Sequence, residues 1–255
     1  MVYRFKISIL KSFKSPVFKK ILGIFPGLSS IKTSDDIRQD LIKKYAAGKS
    51  FVDIGCMWRV DGRFSFLAEE CGAEKVMAVD IYPQSKQFLS EKERRGSRVE
   101  FIQGDINSQD VISKIGVCDV VFCSGVLYHM PDPLYFLSRL RMICAETLIF
   151  STMAIPEVRG MRNTAVFYPF LDAGQRKIWD AGDKKKTVAQ PYEPGNPYST
   201  WFWGFSPSCV ASMLQSVGFD IKERRARPFQ VFYVCEAGQP RVSPPYCPGS
   251  VKKGE

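Results

Sequence analysis

Three aspartates close three separate apolar runs: Asp53 in "SFVDIG", Asp80 in "KVMAVDI" and Asp105 in "RVEFIQGDI". A carboxylate at such a position can accept both hydroxyls of a ribose, or receive the amino group of a purine. Each alone could equally cap the helix that follows it. As a set at the ends of successive runs they point to one binding rim, where Ile81 and Ile106 could sandwich a flat ring.

The turn after Asp53 is unusually wide. Gly55 and Gly62 are separated by "CMWRVD", whereas a phosphate-type loop packs its glycines within a few residues. A fourth apolar run, "CDVVFCSGVL", carries Ser124 and Gly125 to the same rim and is followed by Tyr128 and His129. No G-x-G-x-x-G turn of a dinucleotide-binding reductase is present.

The elements that must position these residues are legible from period and punctuation. The spacing of Ile37, Leu41, Ile42 and Tyr45 predicts a helix over "DDIRQDLIKKYAA". Five strands then alternate with four helices: "SFVDI", "GRFSFLAEECGA", "KVMAVDI", "PQSKQFLSEKERRG", "RVEFIQGDI", "NSQDVISKIG" with Asn107 as its cap, "CDVVFCSGVL", "DPLYFLSRLRMI" and "ETLIFSTM". That alternation predicts an α/β fold with a doubly wound, mainly parallel sheet. "SPSCVASMLQSVGF" reads as a helix between Ser206 and Gly218, and "DIKERRA" with "FQVFYVCEA" as an antiparallel pair added at the edge, making seven strands.

The expected domain boundaries follow: a basic arm or short helix over 1–34, a main domain over 35–237 and a Pro-rich disordered tail over 238–255. Within the domain, residues 154–205 are rich in aromatics, proline and glycine and are expected to cap the site. The net charge of +10 is uneven, because residues 1–34 hold seven basic side chains and no acid, leaving +3 for the rest. Such an arm suits RNA phosphates or peripheral contact with an anionic membrane, or it is simply a solvated end; Phe18, Ile21, Leu22 and Phe25 also fall at helical spacing. No uncharged apolar run is long enough to span a bilayer or to act as a secretory signal. The eight cysteines form no C-x-x-C pair and His129 is the sole histidine, so reduced cytoplasmic thiols and no metal site are expected.

The runs "VDIGC…DGRFSFLAEECGAEKVMAVDI", "FIQGDI" and "CDVVFCSGVLYHMPDPLYFLSRLR" resemble the class I S-adenosylmethionine-dependent methyltransferases. "GVLYHMPDPL" with "WFWGFSPSCVASMLQSVGF" is similar to the branch that holds the tRNA wobble-uridine 5-oxyacetic-acid pathway methyltransferase and its small-molecule relatives. The resemblance spans roughly residues 36–236. It implies a Rossmann-like methyltransferase fold and S-adenosyl-L-methionine as cofactor, with Gly55, Cys56 and Gly62 along its methionine part and Asp53 holding its ammonium. It implies Asp80 and Ile81 at the ribose and ring, Asp105 and Ile106 at the adenine, and Ser124 and Gly125 beside the sulfonium. In that branch the turn runs Asp-x-Gly-x-x-Asp-Gly, so "MWRV" looks like an expansion, and Trp58 must swing outward or cover the site.

The activity so implied is methyl transfer to a small-molecule acceptor, foremost a hydroxyl of a sugar or natural product. His129 is then a candidate base, or a brace for its turn, and Tyr128 an orienting or packing residue. Arg159, Arg162, Tyr168, Trp179, Tyr192, Tyr198, Trp201 and Trp203 would wall the cap, with Arg159, Trp201 and Trp203 the first choices for substrate contact. Two alternatives stand: a tRNA-modifying transferase moving methyl or carboxymethyl, for which Arg59 or Arg159 could supply the cation, and a non-catalytic binding or membrane-associated protein whose widened loop has lost the cofactor.

Overall fold

The computed structural model describes residues 32–172, 174, 201–227 and 229–241. The expectations for the arm (1–31), for Trp179, Tyr192 and Tyr198, and for 242–255 lie outside the described residues. The chain divides at Arg38/Gln39 into two units, and the first described helix, α1 (Ser34–Tyr45), spans the division. At its start the Thr33 N–H donates to the Asp36 carboxylate at 2.6 Å and the Asp36 N–H returns to the Thr33 hydroxyl at 3.1 Å, a reciprocal cap for amides that have no helical partner.

The second unit alternates strand and helix as the sequence predicts: β1 (Ser50–Ile54), α2 (Arg63–Glu70), β2 (Lys75–Asp80), α3 (Lys86–Arg95), β3 (Glu100–Gln103), α4 (Gln109–Ile115), β4 (Cys118–Ser124), α5 (Pro133–Ile143) and β5 (Cys144–Met153). After two short strands, β6 (Ala165–Phe167) and β7 (Trp203–Phe205), come α6 (Pro207–Ser216), β8 (Phe219–Arg227) and β9 (Gln230–Ala237). The main sheet has the order β3-β2-β1-β4-β5-β9-β8, with its first five strands parallel, β9 reversed between β5 and β8, and β8 running in the direction of the first five. This is the expected seven-stranded architecture.

The parallel strands are buried on both faces because right-handed crossovers lay helices on each side. On one face Phe51 and Phe122 stack, Phe64 of α2 tilts onto Phe122, and Phe88 of α3 lies between Phe66 and Phe101. On the other, Val52, Ile54, Val121, Cys123, Leu148 and Phe150 join one cluster with the apolar sides of α4, α5 and α6. The register sets the rim: Ile54 lies opposite both Val79 and Cys123, Asp80 opposite Gln103, and Ser124 opposite Ser151. Gly55, Ile81, Gly104 and Gly125 therefore leave the sheet at one level.

Two local expectations need correction. The cap of α4 is Ser108 and not Asn107, because the Asp105 carboxylate takes the Asn107 N–H at 2.9 Å and folds an Asx turn one residue ahead of the helix. The order does not stop at Ala237 either. Arg141, buried in α5, donates to the carbonyls of Gly218, Gly238 and Cys144, and the Arg241 N–H reaches the Ser216 carbonyl at 3.0 Å. A buried guanidinium needs acceptors, and the backbone of 238–241 supplies some of them.

Candidate active site

The widened turn is a closed, hydrogen-bonded structure. The Gly55 and Cys56 N–H groups both donate to the Val79 carbonyl, at 2.8 and 3.4 Å, and the Gly62 N–H returns to the Cys56 carbonyl at 2.8 Å. Between them Val60 and Asp61 both donate to the Met57 carbonyl, a tight coil that holds the extra residues. Its cost is two non-glycine residues in the left-handed region, Arg59 at φ 58° and Asp61 at φ 46°. Cys56 and Met57 turn inward and are buried, whereas Trp58 swings outward, 42% exposed, under the Arg59 guanidinium. Asp61 accepts the Ser85 hydroxyl at 2.6 Å, and the same Ser85 oxygen caps α3 through the Phe88 N–H.

Both glycines of the turn are required by what they touch. Gly55 has φ 81°, and a Cβ there would lie 2.5 Å from the Val126 side chain; at Gly62, φ 72°, it would lie 2.3 Å from the Phe88 ring. Asp53 is buried beneath the turn and accepts the Ser65 hydroxyl of α2 at 2.7 Å. Burial pushes its carboxyl up to about 7, with the Asp80 charge adding to the rise and Ser65 opposing it.

Asp80 ends β2 with 7% exposure, its two oxygens receiving the Met57 N–H at 2.8 Å and the Tyr82 N–H at 3.0 Å. Burial raises its pKa, and these backbone donors pull it back. Thus the expanded loop is fastened by its own Met57 amide to the carboxylate that the resemblance gives to the ribose. Ile81 beside it is 52% exposed, while Ile106 is buried and Asp105 exposed.

At the end of β4, Ser124 shares a hydrogen bond with Ser151 at 2.7 Å, and Gly125, at φ 82°, donates its N–H to the Ser151 carbonyl. Among the described residues a Cβ on Gly125 would meet only the Tyr128 hydroxyl, at 3.6 Å, so that hydroxyl borders the backbone there. A single 3₁₀ turn, Leu127–His129, follows. Its Tyr128 ring stacks on Trp201 at 4.3 Å, with His129 also 4.3 Å from Tyr128 and edge-on to Trp201 at 6.0 Å. Trp201 is buried and gives its indole N–H to the Trp203 carbonyl, while Trp203 is half-buried, reaches the Pro131 carbonyl at 3.3 Å and packs on Phe167. Tyr168 is buried in the same small cluster. Arg159 and Arg162 are exposed on the bend before β6.

The structure thus brings Asp53, Gly55, Cys56, Asp80, Ile81, Asp105, Ile106, Ser124 and Gly125 to one rim, with Tyr128 and His129 one turn beyond. Arg59 leaves that rim for the outer side of the helix layer. Sequence reasoning missed Met57, Ser65, Ser85 and Val126, which position the turn. Ser65, a lone polar residue among the phenylalanines of "RFSF", was the one visible signal.

S-adenosyl-L-methionine fits this donor set. An ionised carboxylate offers about four acceptor positions, and Asp80 uses part of them for the backbone N–H groups of Met57, Tyr82 and Ile81, which leaves acceptor capacity for a ribose hydroxyl. Among the described residues the backbone of Gly125 leaves room for a bulky group, and the exposed Ile81 offers an apolar face for a ring.

Comparison with known proteins agrees. Residues 52–146 match the methyltransferase domain family. A tRNA U34 carboxymethyltransferase of Alteromonas mediterranea is 27% identical over 146 residues, 52% of this chain and 40% of that protein, so the chain spans less than half the length of this relative. The N-terminal domain of EvdMO1, solved with SAH and D-fucose, superposes with a TM-score of 0.54 at 14% identity, over 80% of this chain and 82% of that one. The N-methyltransferase NodS of Bradyrhizobium japonicum, solved with SAH, gives 0.50 at 14% identity, over 82% and 89%. The likeness to these structures is one of fold. Residues 52–146 thus match a methyltransferase domain, and the fold is one shared with solved S-adenosylmethionine-dependent methyltransferases.

Proposed function

We propose that the chain transfers a methyl group from S-adenosyl-L-methionine to a hydroxyl of a small molecule, foremost a sugar or natural product. The observation that carries this reading is the Asp80 carboxylate and the Gly125 backbone on one rim, with the His129 imidazole in the turn just beyond. When bound, the cofactor supplies a methyl carbon activated by its sulfonium. In this reading Asp80 takes a ribose hydroxyl, Asp105 the adenine amino group with Ile81 and Ile106 about the ring, and Asp53 the ammonium by way of the loop that Gly55, Cys56 and Gly62 form. Ser124 and Gly125 border the reacting carbon.

His129 would accept the proton of the acceptor hydroxyl as that oxygen takes up the methyl group the cofactor supplies. Tyr128, at the border of Gly125, orients the acceptor. Residues 154–205 cap the site, with Trp203 and Phe167 as the accessible aromatic wall, Trp201 bracing Tyr128 from behind, and Arg159 available to an anionic acceptor. The body is 35–237, the setting is cytoplasmic, and the arm of 1–34 makes any contact with RNA or with a membrane surface. The D-fucose named with the EvdMO1 domain supports a sugar acceptor.

The name of the Alteromonas relative favours a second reading, carboxymethyl transfer to tRNA. Calorimetric titration of S-adenosylmethionine and S-adenosylhomocysteine into the wild-type chain and Asp80→Ala tests the cofactor site: binding should fall at least 30-fold in the variant. No binding to either protein would hand the lead to the non-catalytic reading. The tRNA reading predicts in addition an affinity for RNA that falls steeply between low and moderate salt.

A further inference from the structure

The Asp80 carboxylate is aimed by a closed circuit of hydrogen bonds that joins two connections of the sheet. The Met57 N–H donates to one of its oxygens at 2.8 Å and the Tyr82 N–H to the other at 3.0 Å. The Met57 carbonyl in turn accepts the Asp61 N–H at 3.1 Å. The Asp61 carboxylate accepts the Ser85 hydroxyl at 2.6 Å, and Ser85 lies on the connection that leads from Asp80 into α3. The circuit therefore runs from Asp80 to Met57, Asp61 and Ser85, and returns to Asp80 along the chain.

Asp61 is the strained member of this circuit. It stands at φ 46°, in the left-handed region that a side chain disfavours. Such backbone persists only where its surroundings over-determine it. Here the amide is held by the Met57 carbonyl and the carboxylate by Ser85, so the residue is fixed from both ends. Ser85 is itself fixed, because its oxygen caps α3 through the Phe88 N–H at 3.0 Å. The expanded turn is thus anchored on a helix terminus, and the anchor reaches as far as the Asp80 carboxylate.

We infer, on the reading of Asp80 as the ribose carboxylate, that Asp61 and Ser85 are positioning residues for cofactor recognition. Their clamp holds the Met57 amide against Asp80 and so turns the remaining acceptor capacity of that carboxylate toward a ribose hydroxyl. A hydrogen bond is directional, and a donor that fixes one acceptor position of a planar carboxylate fixes where the others point. With the clamp cut, the Met57 amide loses its anchor and the carboxylate gains freedom to rotate.

Calorimetric titration of S-adenosylhomocysteine, and of its analogue lacking both ribose hydroxyls, into the full chain tests the inference. The ratio of the two affinities isolates the hydroxyl contact, since a turn that is merely loosened weakens both ligands alike. The wild type should prefer the hydroxyl-bearing ligand about tenfold or more, the worth of a hydrogen bond to a charged group. In Asp61→Gly the left-handed backbone is allowed but no acceptor remains, and the preference should fall roughly fivefold or more, as it should in Ser85→Ala. Asp61→Asn keeps the acceptor and Ser85→Thr the hydroxyl, so each should restore it. The double variant Asp61→Gly/Ser85→Ala should lose no more than either single one, because both cut the same clamp. A preference that survives Asp61→Gly and Ser85→Ala but not Asp80→Ala overturns the inference and leaves the Asp80 reading standing. So does an equal weakening of both ligands in the clamp variants, the mark of a merely structural role. No binding to the wild type, or a preference that Asp80→Ala leaves intact, overturns both.

Discussion

His129 and Asp53 illustrate how differently two single residues can be tested. If His129 is the base, His129→Gln should lower kcat roughly 100-fold or more while KM moves less than about threefold, and the acid limb of the pH–rate profile should vanish. A bracing imidazole would instead shift KM and melting temperature together. Asp53 makes a prediction about stability. Its carboxyl titrates near 3.8 in a free chain and about 7 when folded, so the folded state keeps a proton that the unfolded state has lost. That contribution is whole below about pH 4 and is lost as pH rises through about 7, at most roughly 4 kcal/mol for a shift of this size. Urea midpoints at pH 5 and pH 8 should therefore fall more for the wild type than for Asp53→Asn, whose amide oxygen can still accept from Ser65.

At the scale of elements, the turn and the helix after it form one packed unit through Gly62. Gly62→Ala should cost about 2–4 kcal/mol, because the left-handed backbone and the overlap with Phe88 both oppose it. Gly72→Ala, also left-handed at φ 82° but with nothing within 4 Å among the described residues, should cost about 1 kcal/mol, and the difference between their thermal melts measures the Phe88 contact. This is also where sequence legibility ran out. The strands and helices of 50–153 could be read because apolar runs and polar, capped segments alternate in the chain itself. The shape of the expanded turn could not, since nothing in "MWRV" marks Arg59 as left-handed or aims the Met57 amide at Asp80. Strands β6 and β7 were equally silent: each has three residues, and their pairing joins distant stretches with no local period. The Asp80, Asp105 and Gly125 positions were legible because a strand end is visible wherever an apolar run stops.

At the scale of the whole molecule, Arg141 ties α5 and the start of β5 to the chain beyond β9. A chain ending at Ala237 loses the Gly238 carbonyl, which accepts Arg141 Nη2 at 2.7 Å, and the Gly238 N–H bond to Gly218. Leaving a buried guanidinium short of acceptors costs about 1–3 kcal/mol, so this chain should melt several degrees lower, while one ending at Arg241 should melt with the full length. Calorimetric scans of the three chains decide it.

The strand order carries a consequence for biosynthesis. On a ribosome the five parallel strands are complete once Met153 has emerged, yet β5 at their margin must wait for Gln230–Ala237 to cover it. Through the translation of everything between, the nascent chain presents a ten-residue strand with Leu148 and Phe150 in it and an open row of amides and carbonyls. Such an edge recruits any strand that passes. Until Gln230–Ala237 arrives, the nascent chain is therefore open to pairing with a neighbour on the same messenger.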